Sequence, residues 1–198
     1  MDIKNKIAVI TGGSSGMGKE ISIALAKEGC TVIFTYNSNE KGANYTLEQI
    51  GKDAFKFKVD MHSEEDMKKL FDFVKERFGK LDILVNNAGI NRPRDLFDTK
   101  VWEEIFQVNL FSIVFCTGKA KELMKNGGKI LNISSIYAEG KACWKGLPAY
   151  GASKAAVSHF TQVMAKNLAP KILINAIAPG YVKTPLWKET SDEDFEKS

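Results

Sequence analysis

The sequence predicts an α/β protein: a doubly wound parallel sheet with helices on both faces, in three layers. Two observations carry this. Short β-branched apolar runs alternate with longer segments of helical period, the pattern of a parallel sheet with crossover helices. The short runs are apolar at nearly every position, as strands covered on both faces are. At 198 residues the chain is read as a single domain over 1–198, with length enough for a substantial core.

The elements follow in order. Ile7 to Ile10 reads as the first buried strand. Met17 to Glu28 follows as a helix, with Ile21, Ala24, Leu25 and Glu28 at helical spacing. Thr31 to Tyr36 is the second strand, Lys41 to Ile50 a helix, and Ala54 to Val59 the third strand. A helix runs from Ser63 to Phe78; Ser63-Glu64-Glu65-Asp66 resembles a capping box and Gly79 fits its C-terminal stop. Leu81 to Val85 is the fourth strand, and a helix covers Thr99 to Lys125. Gly128 to Ser134 is the fifth strand, Pro148 to Leu168 a helix, and Ile172 to Ile177 the sixth strand. Lys188 to Ser198 is polar and acidic, and is expected to be mobile.

Composition narrows the function classes. The chain is 44% hydrophobic and 26% charged, with a formal net charge of +4, ordinary for a soluble globular protein. No dense Lys/Arg block marks a nucleic-acid partner. The longest apolar stretch, Leu110 to Cys116, is too short to span a bilayer. Cys30, Cys116 and Cys143 have neither metal-ligand nor disulfide spacing. They are expected as free thiols in the cytoplasm. His62 and His159 stand alone, so no metal site is expected.

Three segments carry chemistry. The first is Thr11-Gly12-Gly13-Ser14-Ser15-Gly16-Met17-Gly18, between the first strand and the first helix. That is the context of a dinucleotide-binding turn. Gly12 permits the turn, Gly16 lets backbone approach a pyrophosphate, and Gly18 lets helix pack on strand. The helix N-terminus offers free N–H groups to phosphate. The second is the end of the second strand, Tyr36-Asn37-Ser38-Asn39, which has no carboxylate before Glu40. An acidic residue there would bond both ribose hydroxyls and repel a 2′-phosphate. Its absence favours NADP(H), with NAD(H) as the alternative. Asn37, Ser38 and Lys41 are the candidates for a phosphate.

The third is Tyr150-Gly151-Ala152-Ser153-Lys154. Residues four apart share a helix face. A cation about 4 Å from the phenol, at an effective dielectric near 20, contributes about 4 kcal/mol. The spacing thus predicts a phenol lowered by up to about three pKa units.

With Asn86-Asn87-Ala88-Gly89 after the fourth strand, Ser134-Ser135 after the fifth and Pro179-Gly180 after the sixth, these motifs occur in one order along the whole chain. In that order the chain resembles the short-chain dehydrogenase/reductase family, with a Rossmann-like fold. Asn86 to Asn91 and Asn175 to Thr184 most resemble 3-oxoacyl-[acyl-carrier-protein] reductases. The resemblance implies reduction of a ketone, or the reverse oxidation of an alcohol, with a role in fatty acid biosynthesis; the alternative is an inactive cofactor-binding scaffold or partner subunit.

It also implies roles. Tyr150 is the general acid; Lys154 lowers its pKa and binds the nicotinamide ribose. Ser135 hydrogen-bonds the substrate oxygen, with Ser134 the competing candidate. Asn109 holds a water linking Lys154 to solvent. Ser14, Ser15, Met17, Tyr36 and Asn37 join the glycines at the cofactor. Asp60, with Met61, takes the adenine, against a plain turn role. Asn87, Ala88 and Gly89 pass the ribose; Pro179, Gly180, Val182 and Thr184 lie along the nicotinamide.

The interval Ile136 to Ala149 is longer than in the reductases. Tyr137, Lys141, Cys143 and Trp144 there shape the substrate pocket, or the segment is a surface loop. An acyl carrier protein would need a basic dock, for which Lys119, Lys121, Lys125 and Lys129 are the candidates. The chain stops before the last helix and strand expected from the resemblance, which predicts a C-terminally shortened fold with the sixth strand as an open edge. Thr99 to Lys125 is apolar beyond one stripe, so a homodimer is expected, with the tetramer weakened.

Overall fold

A computed structural model of the chain describes residues 3–52, 54–92, 96–139 and 147–187. Six strands form one parallel sheet in the order β3-β2-β1-β4-β5-β6. They are β1 (Ile7–Ile10), β2 (Thr31–Tyr36), β3 (Ala54–Lys58), β4 (Ile83–Asn86), β5 (Gly128–Ile133) and β6 (Ile172–Ile177). The helices are α1 (Gly16–Lys27), α2 (Glu40–Ile50), α3 (Glu64–Phe78), α4 (Thr99–Phe106), α5 (Ser112–Leu123) and α6 (Pro148–Leu168). This is the three-layer, Rossmann-like arrangement.

Strand alternation assigns the two faces. Ala8, Ile10, Val32 and Phe34 pack with Ile21 and Leu25 of α1 and Ala43 and Leu47 of α2. Val9, Ile33, Leu84 and Ile130 point the other way, against Met67, Leu70 and Val74 of α3, Cys116 and Ala120 of α5, and Leu168 of α6. Residues buried on both faces are why these strands read as unbroken apolar runs. β6 is the exception. Ile172 and Ile174 are buried, while Leu173 and Ile177 on its other face are each 48% exposed. Among the described residues β6 is an edge of the sheet.

Helix ends follow their capping chemistry. Ser63 Oγ accepts the Asp66 N–H at 3.1 Å, and Gly79 closes α3 in the left-handed region. Only half of the anticipated capping box forms, because Asp66 Oδ2 takes the backbone N–H of Asp60 at 3.2 Å.

The predicted helix from Thr99 to Lys125 ends at Leu123 and is interrupted: Gln107–Phe111 is a π-turn between α4 and α5. One wide turn adds a single residue to the period, which the apolar pattern from Thr99 to Lys125 does not reveal. Asn109 sits in that turn. Phe111, its last residue, and Val114 in α5 are 52% and 44% exposed. Among the described residues, no helix is long and apolar enough to cross a membrane.

Candidate active site

The strand order reverses between β1 and β4. In open α/β sheets, ligands bind beyond the carboxyl ends of the strands at such a switch point. A cavity of about 390 Å³ lies there. Gly12, Ser14, Ser15, Gly16 and Met17 line one end, with Tyr36 and Asn37 after β2 and Asp60 and Met61 after β3. Asn87, Ala88 and Gly89 cross its middle. Ser135, Tyr150 and Lys154 line the other end, faced by Pro179, Gly180, Val182 and Thr184. Two predicted site residues, Gly18 and Asn109, stand behind the wall rather than on it.

The glycine turn is shaped by close approach. Gly12 has φ +73° and donates its N–H to Thr35 Oγ1 at 3.0 Å. A Cβ on Gly13 would lie 2.6 Å from Cβ of Phe34; one on Gly18 would overlap the Gly12 carbonyl and the Asn87 amide. Thr11 Oγ1 accepts the N–H groups of Asn87 (3.0 Å) and Ala88 (2.9 Å), and Asn87 Nδ2 donates back to the Thr11 carbonyl at 2.9 Å. The turns after β1 and β4 are thereby knitted together.

Ser15, at the N-cap of α1, makes no side-chain capping bond. The N–H groups of the first turn therefore stay open to an anion. A turn with glycines at its points of close approach, ending on open N–H donors, fits the pyrophosphate of a dinucleotide. At the far corner Asp60 Oδ1 accepts the His62 N–H at 3.0 Å and meets the His62 ring at 2.8 Å. The backbone bond, then the ring, hold this carboxyl below the usual range. Asp60 thus builds a turn and also lines the cavity.

At the reacting end, three consecutive residues at the end of β5, Ile133 to Ser135, meet α6. The Ile133 carbonyl accepts Lys154 Nζ at 2.7 Å. The Ser134 hydroxyl donates to the Lys154 carbonyl at 3.0 Å. Ser135 shares a side-chain hydrogen bond with the Tyr150 phenol, and its Oγ also accepts the Tyr137 N–H at 3.1 Å. With Ser134 turned onto α6, Ser135 is the serine beside the phenol.

The lowered phenol expected from the Tyr150–Lys154 spacing is not found. Burial raises the Tyr150 pKa, and only the Ser135 bond pulls the other way. Lys154 is 3% exposed, and burial draws its ammonium down to about 8. Its Nζ stands 5.8 Å from the Tyr150 ring centre and points at the Ile133 carbonyl. Spacing on a helix fixes the shared face; the tertiary acceptor decides where the charge goes.

Asn109 is fully buried. Its Nδ2 donates to the Ile90 carbonyl (2.9 Å) and Ser153 Oγ (3.1 Å), and its Oδ1 accepts the Ile90 N–H (2.8 Å). With both amide hydrogens engaged, its side chain offers a water acceptor capacity only.

Tyr137 packs edge-on against Tyr150, ring centres 5.6 Å apart, and against Tyr181 at 6.2 Å. It lines the cavity. The other suggested pocket residues, Lys141, Cys143 and Trp144, lie outside the described residues, as does Lys188 to Ser198. Of the suggested basic dock, Lys119 is paired with Glu122 at 3.1 Å.

Several contributors carry no linear signal. Thr35 accepts from Gly12, and Thr46 of α2 reaches the Gly13 carbonyl at 3.1 Å. Ser153 holds Asn109 and donates to the Tyr150 carbonyl at 2.7 Å. Only His62, two residues after Asp60, had a local signal, since Asp commonly bonds backbone two residues on.

Comparison with known proteins places this geometry. A sequence model described as short chain dehydrogenase matches residues 6–194. A 3beta-hydroxysteroid dehydrogenase of Mediterraneibacter gnavus is 37% identical, over 94% of this chain and 69% of its own. A 7alpha-hydroxysteroid dehydrogenase of Escherichia coli K12 is also 37% identical, over 98% of this chain and 78% of its own. The crystal structure of a 3-ketoacyl-(acyl-carrier-protein) reductase from Brucella melitensis, complexed with NADH, superposes with a TM-score of 0.86 at 32% identity, covering 93% of this chain and 78% of that one.

Proposed function

The chain belongs to the short-chain dehydrogenase family, and on that premise we propose that it interconverts a ketone and a secondary alcohol with NADP(H), the ketone being a 3-oxoacyl thioester. One observation carries the reading: a buried Tyr150–Ser135 hydrogen bond, with the Lys154 ammonium one helical turn away, opens into the cavity whose other end is the glycine turn.

Gly12 to Met17 hold the pyrophosphate, Asp60 and Met61 the adenine, and Asn87 to Gly89 the ribose. When bound, the nicotinamide supplies the hydride. The protein's own task is the proton. Burial keeps the Tyr150 phenol protonated at neutral pH, the state a general acid needs for reduction. Ser135 Oγ accepts from the Tyr137 N–H, which leaves its own proton to donate. With a ketone bound, the Tyr150–Ser135 bond gives way and both hydroxyls donate to one carbonyl oxygen, where negative charge develops. Lys154 restores charge balance behind the phenol.

NADP(H) is favoured by the turn after β2. The first carboxylate there, Glu40, is engaged by Lys56 Nζ at 3.1 Å and by the Tyr36 hydroxyl at 3.3 Å. Fluorescence titration is expected to give a Kd for NADPH at least about tenfold below that for NADH, roughly 1.4 kcal/mol. Tighter NADH would reverse the assignment. The thioester is supported by the likeness of the Asn86–Asn91 and Asn175–Thr184 segments to acyl-carrier-protein reductases. Cofactor oxidation at 340 nm over 3-oxoacyl thioesters, hydroxysteroid ketones and small ketones tests it; a marked preference for the steroids would move the substrate class.

For assembly, a two-fold homodimer through the exposed apolar side of α4 and α5, at Phe111 and Val114, satisfies a helix that is apolar beyond one stripe. A dimer in sedimentation at micromolar protein, dissociated by Phe111→Glu, is the expected result.

A further inference from the structure

The contact between β5 and α6 carries buried polar side chains among the apolar ones. Asn132 and Ser134 are alternate residues of the β5 segment and point to the same side. Asn132 Nδ2 donates to Thr161 Oγ1 at 2.9 Å. Ser134 donates to the Lys154 carbonyl at 3.0 Å and lies 2.6 Å from Ser158 Oγ. Ser134 is 2% exposed and Asn132 fully buried. Lys154, Ser158 and Thr161 follow at helical spacing along one face of α6.

A hydroxyl has one proton. With that of Ser134 on the Lys154 carbonyl, Ser158 must donate to Ser134. The result is a directed chain: Ser158 hydroxyl to Ser134 hydroxyl to Lys154 carbonyl. That carbonyl lies mid-helix and already belongs to the α6 ladder, so helix formation does not need the extra bond. Its effect is to lock the axial position of α6 against the end of β5. Apolar contacts tolerate a slip of a few tenths of an ångström. A buried hydrogen-bond chain does not, because a stretched member leaves an unsatisfied polar group.

The lock sits where it matters for chemistry. The residue before Ser134 accepts Lys154 Nζ, and the residue after it bonds the Tyr150 phenol. We infer that Ser134, backed by Ser158, is a positioning residue: it touches no reacting atom but sets α6 so that Tyr150 and Lys154 meet Ser135 and the Ile133 carbonyl together. This rests on the proposed roles of Tyr150 and Ser135.

The test compares Ser134→Ala, Ser134→Thr and Ser158→Ala with wild type and Tyr150→Phe. Wild type inactive on every ketone, or Tyr150→Phe as active as wild type, would defeat the underlying reading rather than this inference. Given an active wild type, Ser134→Ala is expected to lower kcat between about tenfold and a hundredfold, as misplacement of a reacting group does. KM and Kd for NADPH should stay within about twofold, because the glycine turn is untouched. Ser134→Thr keeps the hydroxyl and should recover most of kcat. Ser158→Ala should lower kcat about threefold, and its combination with Ser134→Ala should add nothing, since both break one chain. An unchanged kcat in folded Ser134→Ala overturns the inference. So does a loss of kcat matched by weaker cofactor binding, or one not recovered by threonine. If Ser134→Ala does not fold, Ser158→Ala decides alone: a lower kcat at unchanged NADPH affinity supports the lock, and wild-type kcat overturns it.

Discussion

Beside β1 and β2 the cavity wall is made where side chains are missing. Gly12, Gly13 and Gly18 let backbone meet backbone and ring, and each bond given for the turn has a main-chain group at one end at least. Beside β5 and α6 buried polar side chains make the wall, Ser134, Ser135 and Lys154, and others back it, Asn109 and Ser153. On the proposed function the first end receives a large, charged molecule and can be shaped by sterics. The second has to place a proton and a charge, and sterics alone cannot orient a donor. Damage at the glycine end should therefore appear in binding and folding, and damage at the polar end in turnover.

The largest separation is expected from Lys154→Met. Loss of the ammonium behind the phenol should lower kcat/KM by about a thousandfold, within the range for general acid–base groups. The same change should stabilise the protein, because a fully buried ammonium is held at a cost. The pH window follows from its pKa, drawn down to about 8. Below that value lysine is protonated folded and unfolded, and the whole cost is present. From there to about 10.5 the unfolded chain binds the proton that the folded one has lost, so wild-type stability rises with pH. The gain of Lys154→Met over wild type should be greatest below pH 8 and vanish above about 10.5. Thermal unfolding of both proteins at pH 7 and pH 10 checks the sign; a gap that widens with pH would contradict it.

Gly18→Ala acts at the other end. Its methyl group would overlap the Gly12 carbonyl and the Asn87 amide. Overpacking of this kind costs on the order of 3 kcal/mol. NADPH affinity should fall more than tenfold, while the kcat that remains at saturating cofactor stays near wild type. Equal affinity in the alanine variant would break the division between the two ends.

The smallest effect is expected from Thr46→Val. The hydroxyl bonds the Gly13 and Gly42 carbonyls from α2. Losing one buried hydrogen bond costs about 1 kcal/mol. Urea unfolding should show that loss, with NADPH binding weakened no more than about threefold.

The same contrast explains what could be read from the chain. Glycines stand in the turn because close approach excludes anything else, so the Thr11–Gly18 segment announces itself. Strands buried on both faces are unbroken apolar runs, and the boundaries of β1 and β2 follow directly. The polar end is different. That Ser134 belongs to α6 and Ser135 to the phenol depends on which way adjacent side chains turn at the end of β5. That Lys154 points at the Ile133 carbonyl depends on an acceptor 21 residues away. The π-turn at Asn109 adds one residue to a period that remains apolar throughout. None of these leaves a linear pattern.

The division of labour is tested most directly by running two readouts on wild type and Tyr150→Phe side by side: NADPH fluorescence for binding, and loss of absorbance at 340 nm with the ketone panel for turnover. Wild type should bind and turn over. Tyr150→Phe should bind NADPH with the same affinity and turn over about a thousandfold more slowly, the loss that the proposed role of the phenol as general acid requires. A saturated, folded wild type with no turnover, or a phenylalanine variant that reduces ketones at the wild-type rate, would contradict the assignment of the chemistry to this cluster.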